Sequence, residues 1–114
     1  MTMSNVYDRA HDLARALQES SEALAVDAAM KEVAADAESK RMFDDFRMRQ
    51  AHMQQKMMMG EMPEQEEMDK MEQMYQVISM NPSIANLFEA ERRLAQVIQD
   101  VNKIVSDSLS HLYQ

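Results

Sequence analysis

The connection Gly60-Glu61-Met62-Pro63 decides how this chain folds. Before it, Phe43, Phe46, Gln50, Met53 and Met57 step by 3, 4, 3 and 4 residues, one face of a helix with Gln50 as its polar interruption. After it, Met68, Met71, Tyr75 and Ile78 step by 3, 4 and 3. Gly60 sits where a helix C-terminal glycine belongs, and Pro63 suits the first turn of a following helix. Two stripes of equal period joined by so short a link predict an antiparallel helical hairpin. Eleven of the 14 methionines fall between Met42 and Met80. Met side chains are unbranched and polarizable, so they fill irregular gaps and suit surfaces that re-pack against different partners. A hairpin rich in them is a soft core or an adaptable binding face.

Outward from the hairpin the pattern stays helical. Ser4 and Asn5 are suitable N-caps for a first helix carrying Val6, Ala10, Leu13 and Leu17 on one face. Ser20-Ser21 breaks it and can cap a second helix, Glu22 to about Ala35, with Leu24, Ala28 and Val33 inward. Asp36-Ala37-Glu38-Ser39 reads as a bend and restart, leading into a third helix from about Glu38 to Met59. Asn81-Pro82 is a strong helix start, an N-cap followed by Pro at the first helical position. The last helix is expected from Pro82 to about Leu112, with Leu87, Glu91, Leu94, Ile98, Val101, Val105, Ser108 and Leu112 on one stripe. At 1.5 Å per residue it would be about 45 Å long, longer than a compact domain with a radius of gyration of about 13 Å is wide. The expectation is one all-α domain over residues 1–114: an elongated helical bundle with a central hairpin and a long C-terminal helix, paired as a homodimer. One Gly, two Pro and abundant helix formers exclude a β-sandwich or barrel.

Net charge is −8, which argues against nucleic-acid binding through a general basic surface. The charge is segregated. Residues 1–39 carry eight acids against three bases, residues 40–60 five bases against two acids, and residues 61–80 six acids against one base. The two hairpin helices would therefore face each other with complementary charge. Lys40, Arg41, Arg47, Arg49 and Lys56 form a basic stripe, for which a solvated face is favoured over an RNA contact. The absence of Cys removes disulfides, thiolate metal sites and a cysteine nucleophile. Residues 1–15 have no apolar run and carry early acids, and no stretch approaches the roughly 20 apolar residues that span a bilayer. No leader and no membrane segment are expected, and the location expected is cytoplasmic.

Chemistry is sparsely represented. Asp8-x-x-His11 stands alone, and His52 and His111 are isolated in sequence, so no carboxylate–histidine metal site is expected. Thioethers are soft ligands, and Met57, Met58, Met59 and Met62 crowd the hairpin tip. A soft-metal or small hydrophobic ligand site is the alternative reading there, although core packing is favoured for Met68 and Met71. Glu91 lies on the apolar stripe of the last helix and needs a partner from another helix or chain. No cofactor and no catalytic residues are assigned. The candidate partner surface comprises Met58, Met59 and Met62 at the tip, Arg41, Arg47 and Arg49 on the third helix, and Glu91.

The run Ser39-Lys40-Arg41-Met42-Phe43-Asp44-Asp45-Phe46-Arg47, the Gln54-Gln55-Lys56 segment and Gly60-Glu61 resemble the YlbF/YmcA-like family of bacterial proteins, most closely its YheA-type subgroup. Leu87-Phe88-Glu89-Ala90-Glu91-Arg92-Arg93-Leu94 and Asn102-Lys103-Ile104-Val105 are similar to the same subgroup's C-terminal helix. The likeness covers nearly the whole chain. It implies an all-helical, homodimeric, cytoplasmic protein whose better-studied relatives are non-catalytic regulatory adaptors. Those relatives form a complex that influences a membrane-attached endoribonuclease and, through it, mRNA processing, competence, sporulation and biofilm formation. Members of that complex hold iron–sulfur clusters with cysteines; this chain has none, so the cofactor does not carry over.

Overall fold

A computed structural model describes residues 5–113, and among them every regular element is helical. The order is α1 (Val6–Gln18), α2 (Ser21–Ala34), α3 (Ala37–Met58), α4 (Gln65–Ile78) and α5 (Pro82–Ser108), followed by a short 3₁₀ turn, Ser110–Tyr113. Each start has a local cause. Asn5 caps α1, its side chain accepting from the Asp8 N–H at 2.8 Å; Ser4 lies outside the described residues. The Ser20 hydroxyl accepts from the Ala23 N–H at 3.1 Å and donates to the Leu17 carbonyl at 2.7 Å, closing α1 and opening α2 with one side chain. Asp36 caps α3 by accepting from the Ser39 N–H at 3.2 Å. Asn81 caps α5, its Oδ1 accepting from the N–H groups of Ser83 at 3.0 Å and Ile84 at 3.2 Å.

Between α3 and α4, Gly60 adopts φ +84°. The Glu61 N–H donates to the Lys56 carbonyl at 2.9 Å and the Gly60 N–H to the Met57 carbonyl at 3.1 Å. This is a Schellman closure, in which a left-handed residue satisfies the last carbonyls of a helix. Two boundaries differ from the sequence expectation. Pro63 stands ahead of α4 rather than in its first turn, and Glu64 takes the cap position without a side-chain hydrogen bond. The acidic first turn, Glu66 and Glu67, instead complements the positive end of the helix. At the C-terminus α5 ends at Ser108, so Leu112 falls in the 3₁₀ turn.

The described chain forms two compact units. One spans Ala29–Phe88: the end of α2, all of α3 and α4, and the start of α5. Phe46 and Tyr75 meet across its hairpin (ring centroids 6.1 Å apart), as do Lys56 and Glu67 nearer the turn (2.8 Å). The two pairings advance in opposite directions along the helices, so the hairpin is antiparallel. Phe88 of α5 completes an aromatic cluster, 6.1 Å from Phe43, 5.9 Å from Phe46 and 5.5 Å from Tyr75. Such offset and tilted pairs add about 0.5–1.5 kcal/mol each beyond the area they bury. Ala29, Val33, Phe46, Ile78, Ile84 and Leu87 are buried in this unit. Ser39 is the one buried polar residue among those described, and its hydroxyl is fully used. It donates to Asp36 Oδ2 at 2.5 Å and accepts from Asn81 Nδ2 at 2.7 Å, which joins the caps of α3 and α5. Ser83 adds a longer bond to Glu32 of α2 at 3.4 Å.

The other unit combines α1, the first turns of α2 and the part of α5 from Glu89 onward. Its apolar stripes are present but thinly covered. No residue of α1 is buried. Along α5, Leu94 and Val101 are half-buried, whereas Ile98, Ile104 and Val105 are exposed.

Replacing Ser39 by Ala strands the Asn81 amide and removes the hydroxyl donor to Asp36. Leaving a buried polar group unpaired costs about 1–3 kcal/mol, and urea unfolding of Ser39→Ala is expected to show a loss in that range with an unchanged m-value. Asp36 also gives the fold an acid limit. The bonds it accepts from the Ser39 side chain and then the Ser39 N–H hold its carboxyl below the ordinary value of 3.8. A carboxylate whose folded pKa is depressed stabilises the fold above its unfolded pKa, and that stability disappears as pH falls through the folded one. The melting temperature should therefore drop as pH is lowered from about 4, in line with the reference carboxylate range. Asp36→Asn, which keeps a capping oxygen without the titration, should flatten the acid limb of a Tm–pH curve followed by circular dichroism.

Candidate functional site

The α3–α4 hairpin presents two surfaces. At the tip, the Schellman closure fixes the backbone, and Lys56 donates to Glu67 at 2.8 Å across the two helices. That contact raises the Lys56 pKa and holds the Glu67 carboxyl below its usual range. Beyond this pair the methionines stand in solvent: Met58 is 87% exposed, Met62 84% and Met59 71%. Apolar side chains so open on a fixed turn suit contact with another molecule.

Along the flank of the hairpin runs a shallow groove. Its part nearer the tip, about 430 Å³, is walled by Met48 and Met53 of α3 and Met71 of α4, with Arg49 and His52 at the edge. The other part, about 340 Å³, is walled by Met42 of α3 and by Met74, Val77 and Ile78 of α4. Asp45 and Lys70 line both parts, so the two meet there. The walls are mostly thioether and aliphatic, and the carboxylates beside them are engaged, Asp45 with Arg49 at 3.5 Å and Glu67 with Lys56. Glu67, whose carboxyl the bond from Lys56 holds below its usual range, is a poor proton acceptor at neutral pH. The arrangement therefore suits binding rather than acid–base chemistry.

The structure separates the three arginines of the candidate surface. Arg47 lies over the aromatic cluster, its guanidinium carbon 4.8 Å from the Phe43 ring centre and 5.5 Å from that of Phe88, and it donates to Gln50 at 2.9 Å. Arg49 lines the groove, and Arg41 is exposed near the start of α3. They do not form one continuous face. Glu91 is half-buried and belongs to the other compact unit. Its neighbours Arg92 and Arg93 turn to Glu89, at 2.6 and 3.2 Å. The bond from Arg92 first, then that from Arg93, brings the Glu89 carboxyl down to about 2. The i, i+3 and i, i+4 spacing of this cluster was visible in the sequence, whereas the groove was not. Met53 and Met71 read as core stripe positions, and Met48, His52 and Lys70 fall between stripes.

Iron–sulfur clusters are held mainly by cysteine thiolates. The chain has no Cys, so its residues do not fit that cofactor. Among the described residues no three His, Asp or Glu side chains converge to hold a metal ion, and no helix is long and apolar enough to cross a membrane.

Comparison with known proteins gives this geometry a lineage. Residues 6–110 match the family model described as "Control of competence regulator ComK, YlbF/YmcA". A UPF0342 protein of Alkalihalophilus pseudofirmus is 40% identical over 111 residues, covering 97% of this chain and 94% of its own. A UPF0342 protein of Caldicellulosiruptor bescii is 40% identical over 107 residues, covering 94% and 90%. Among solved structures, yheA from Bacillus subtilis superimposes with a TM-score of 0.73 at 33% identity, covering 96% of this chain and all of the other. A DUF964 protein of unknown function from Bacillus stearothermophilus shares the fold with a TM-score of 0.87 at 23% identity, covering 96% of each chain. The family description names control of a regulator and no enzymatic reaction. With the match running nearly end to end, the chain belongs to the YlbF/YmcA family, in its UPF0342, YheA-like branch.

Proposed function

We propose that this protein is a non-catalytic, cytoplasmic regulator or adaptor that works as a homodimer and acts by holding a protein partner. The field of action is the one its family description names, competence control, with RNA processing, sporulation and biofilm formation as the linked processes. The observation that carries the reading is the hairpin tip. A Schellman turn and the Lys56–Glu67 pair fix the frame, while Met58, Met59 and Met62 are displayed outward. Rigid backbone with adaptable side chains is the economy expected of a docking surface. Arg41 and Arg49 would set orientation and on-rate more than affinity.

The homodimer reading rests on α5. Ile98 is 44% exposed, Val105 54% and Ile104 69% within one chain, on a helix whose apolar spacing continues past its buried N-terminal turns. A second copy covering that stripe would remove it from water. The two helices α2 and α5 each contribute to both compact units, which supports reading the chain as one cooperative domain.

Sedimentation equilibrium from low micromolar concentrations should show a dimer. Ile98→Asp with Val105→Asp should weaken self-association at least about tenfold, since burying each such side chain is worth about 1.5–3 kcal/mol; unchanged association would place the dimer seam elsewhere. At the tip, Met58→Glu with Met62→Glu is expected to leave the far-ultraviolet circular dichroism spectrum unchanged and to abolish partner capture. Recovery of the same proteins with and without these substitutions would remove the tip from the binding surface.

A further inference from the structure

The groove between α3 and α4 has a length, a lining and a charge that together specify an occupant. On α3 its walls run from Met42 to Met53, and on α4 from Glu67 to Ile78. Each strip is eleven residue steps, about 16 Å at 1.5 Å per residue, or three helical turns. A groove of that length bordered by two helices matches the mode in which an amphipathic helix lays its apolar face between them, with anchors at i, i+3 or i+4, and i+7. Thioether walls tolerate anchors of differing shape.

The charge at the centre narrows the choice. Lys70 lines both parts of the groove, and among the described residues it makes no ion pair. It is the one base in residues 61–80, against six acids. The neighbouring carboxylates are already engaged, Asp45 by Arg49 and Glu67 by Lys56. An apolar helix seated here would bring Lys70 under cover, and a cation under cover needs a carboxylate. We infer that the α3–α4 groove binds an amphipathic helix of about three turns from a partner protein, with a single Asp or Glu at the middle of its apolar face meeting Lys70. The inference rests on the interaction-protein reading above, names the kind of partner segment, and adds to the tip a second, separate docking surface on the flank of the hairpin.

Methionine methyl resonances report on this directly, because the two surfaces carry different methionines. The probe is a helix-stabilised 15-residue peptide with Leu at three successive anchor positions and Glu central on that face; a matched peptide carries Lys there instead. Titrated into the full-length protein labelled at methionine methyls, the Glu peptide should shift Met42, Met48, Met53, Met71 and Met74 and leave Met58 and Met62 unmoved. Lys70→Glu should weaken the Glu peptide about fivefold or more and reverse the preference in favour of the Lys peptide. A change that merely damaged the fold would weaken both peptides alike. Shifts confined to Met58, Met59 and Met62 would overturn the groove while leaving the adaptor reading in place. Shifts of the groove methyls on dilution of the protein alone, with neither peptide binding, would assign the groove to a second copy and overturn the proposal. No shift at millimolar peptide would overturn it as well.

Discussion

The Asp36–Ser39–Asn81 hydrogen-bond chain is the constraint from which the hairpin unit is built. The first turn of any helix leaves N–H groups without intrahelical partners, and here two first turns, those of α3 and α5, are served by caps that share one buried hydroxyl. Sharing it fixes the rotation of both helices about their axes at the same point. Phe43 and Phe46 follow Ser39 by one and two turns, and Ile84 and Phe88 follow Asn81 by the same distances. A helix turns 100° per residue, so a register slip of one residue in either helix would carry its ring out of the cluster. The polar contact thus decides which apolar contacts can form, although it buries little area itself.

Apolar residues divide by shape between interior and periphery. Those buried among the described residues are Ala, Val, Ile, Leu and Phe, and no methionine is among them. Aromatic and branched side chains have few rotamers and fix an interior uniquely, whereas Met adapts. In this chain the stiff residues hold the framework, while Met42, Met48, Met53, Met71 and Met74 line the groove and Met58, Met59 and Met62 stand at the tip. A composition that left a soft core and an adaptable face both open thus belongs to a chain whose buried residues, among those described, include no methionine.

Helix starts were legible from sequence to within a residue or two because caps act locally. Ser20, Asp36 and Asn81 each satisfy donors two or three residues away, and Gly60 closes a turn from its own dihedral angle. Pro63 misled slightly, since its fixed φ suits the extended approach to a helix as well as its first turn. The stripes were right in period but not in depth. Phe46 and Ile78 are buried as their positions suggest, yet Met57 and Tyr75 of the same stripes are more than a third exposed. Periodicity gives the direction of a side chain, while depth depends on whether another element lies over it, and that requires three-dimensional placement. Arg47 shows the same limit. Its place in a basic run said nothing of the Phe88 ring, contributed from more than forty residues away.

The segregated charge of the hairpin plays a smaller structural role than its pattern suggests. Lys56 and Glu67 pair across the helices, but Lys40 takes Asp44 and Arg49 takes Asp45 within α3 itself. Pairs at i, i+4 on an exposed face are worth only about 0.3–0.5 kcal/mol. The cohesion of α3 and α4 therefore comes chiefly from the rings and aliphatic groups between them, and screening by salt acts on it weakly. Glu66, Asp69 and Glu72 of α4 are exposed, where they repel acidic surfaces. A partner that approaches the hairpin thus meets a fixed apolar scaffold behind a salt-sensitive field. Under the proposed adaptor role, affinity and selectivity would be set by different groups, the apolar walls and the charges around them.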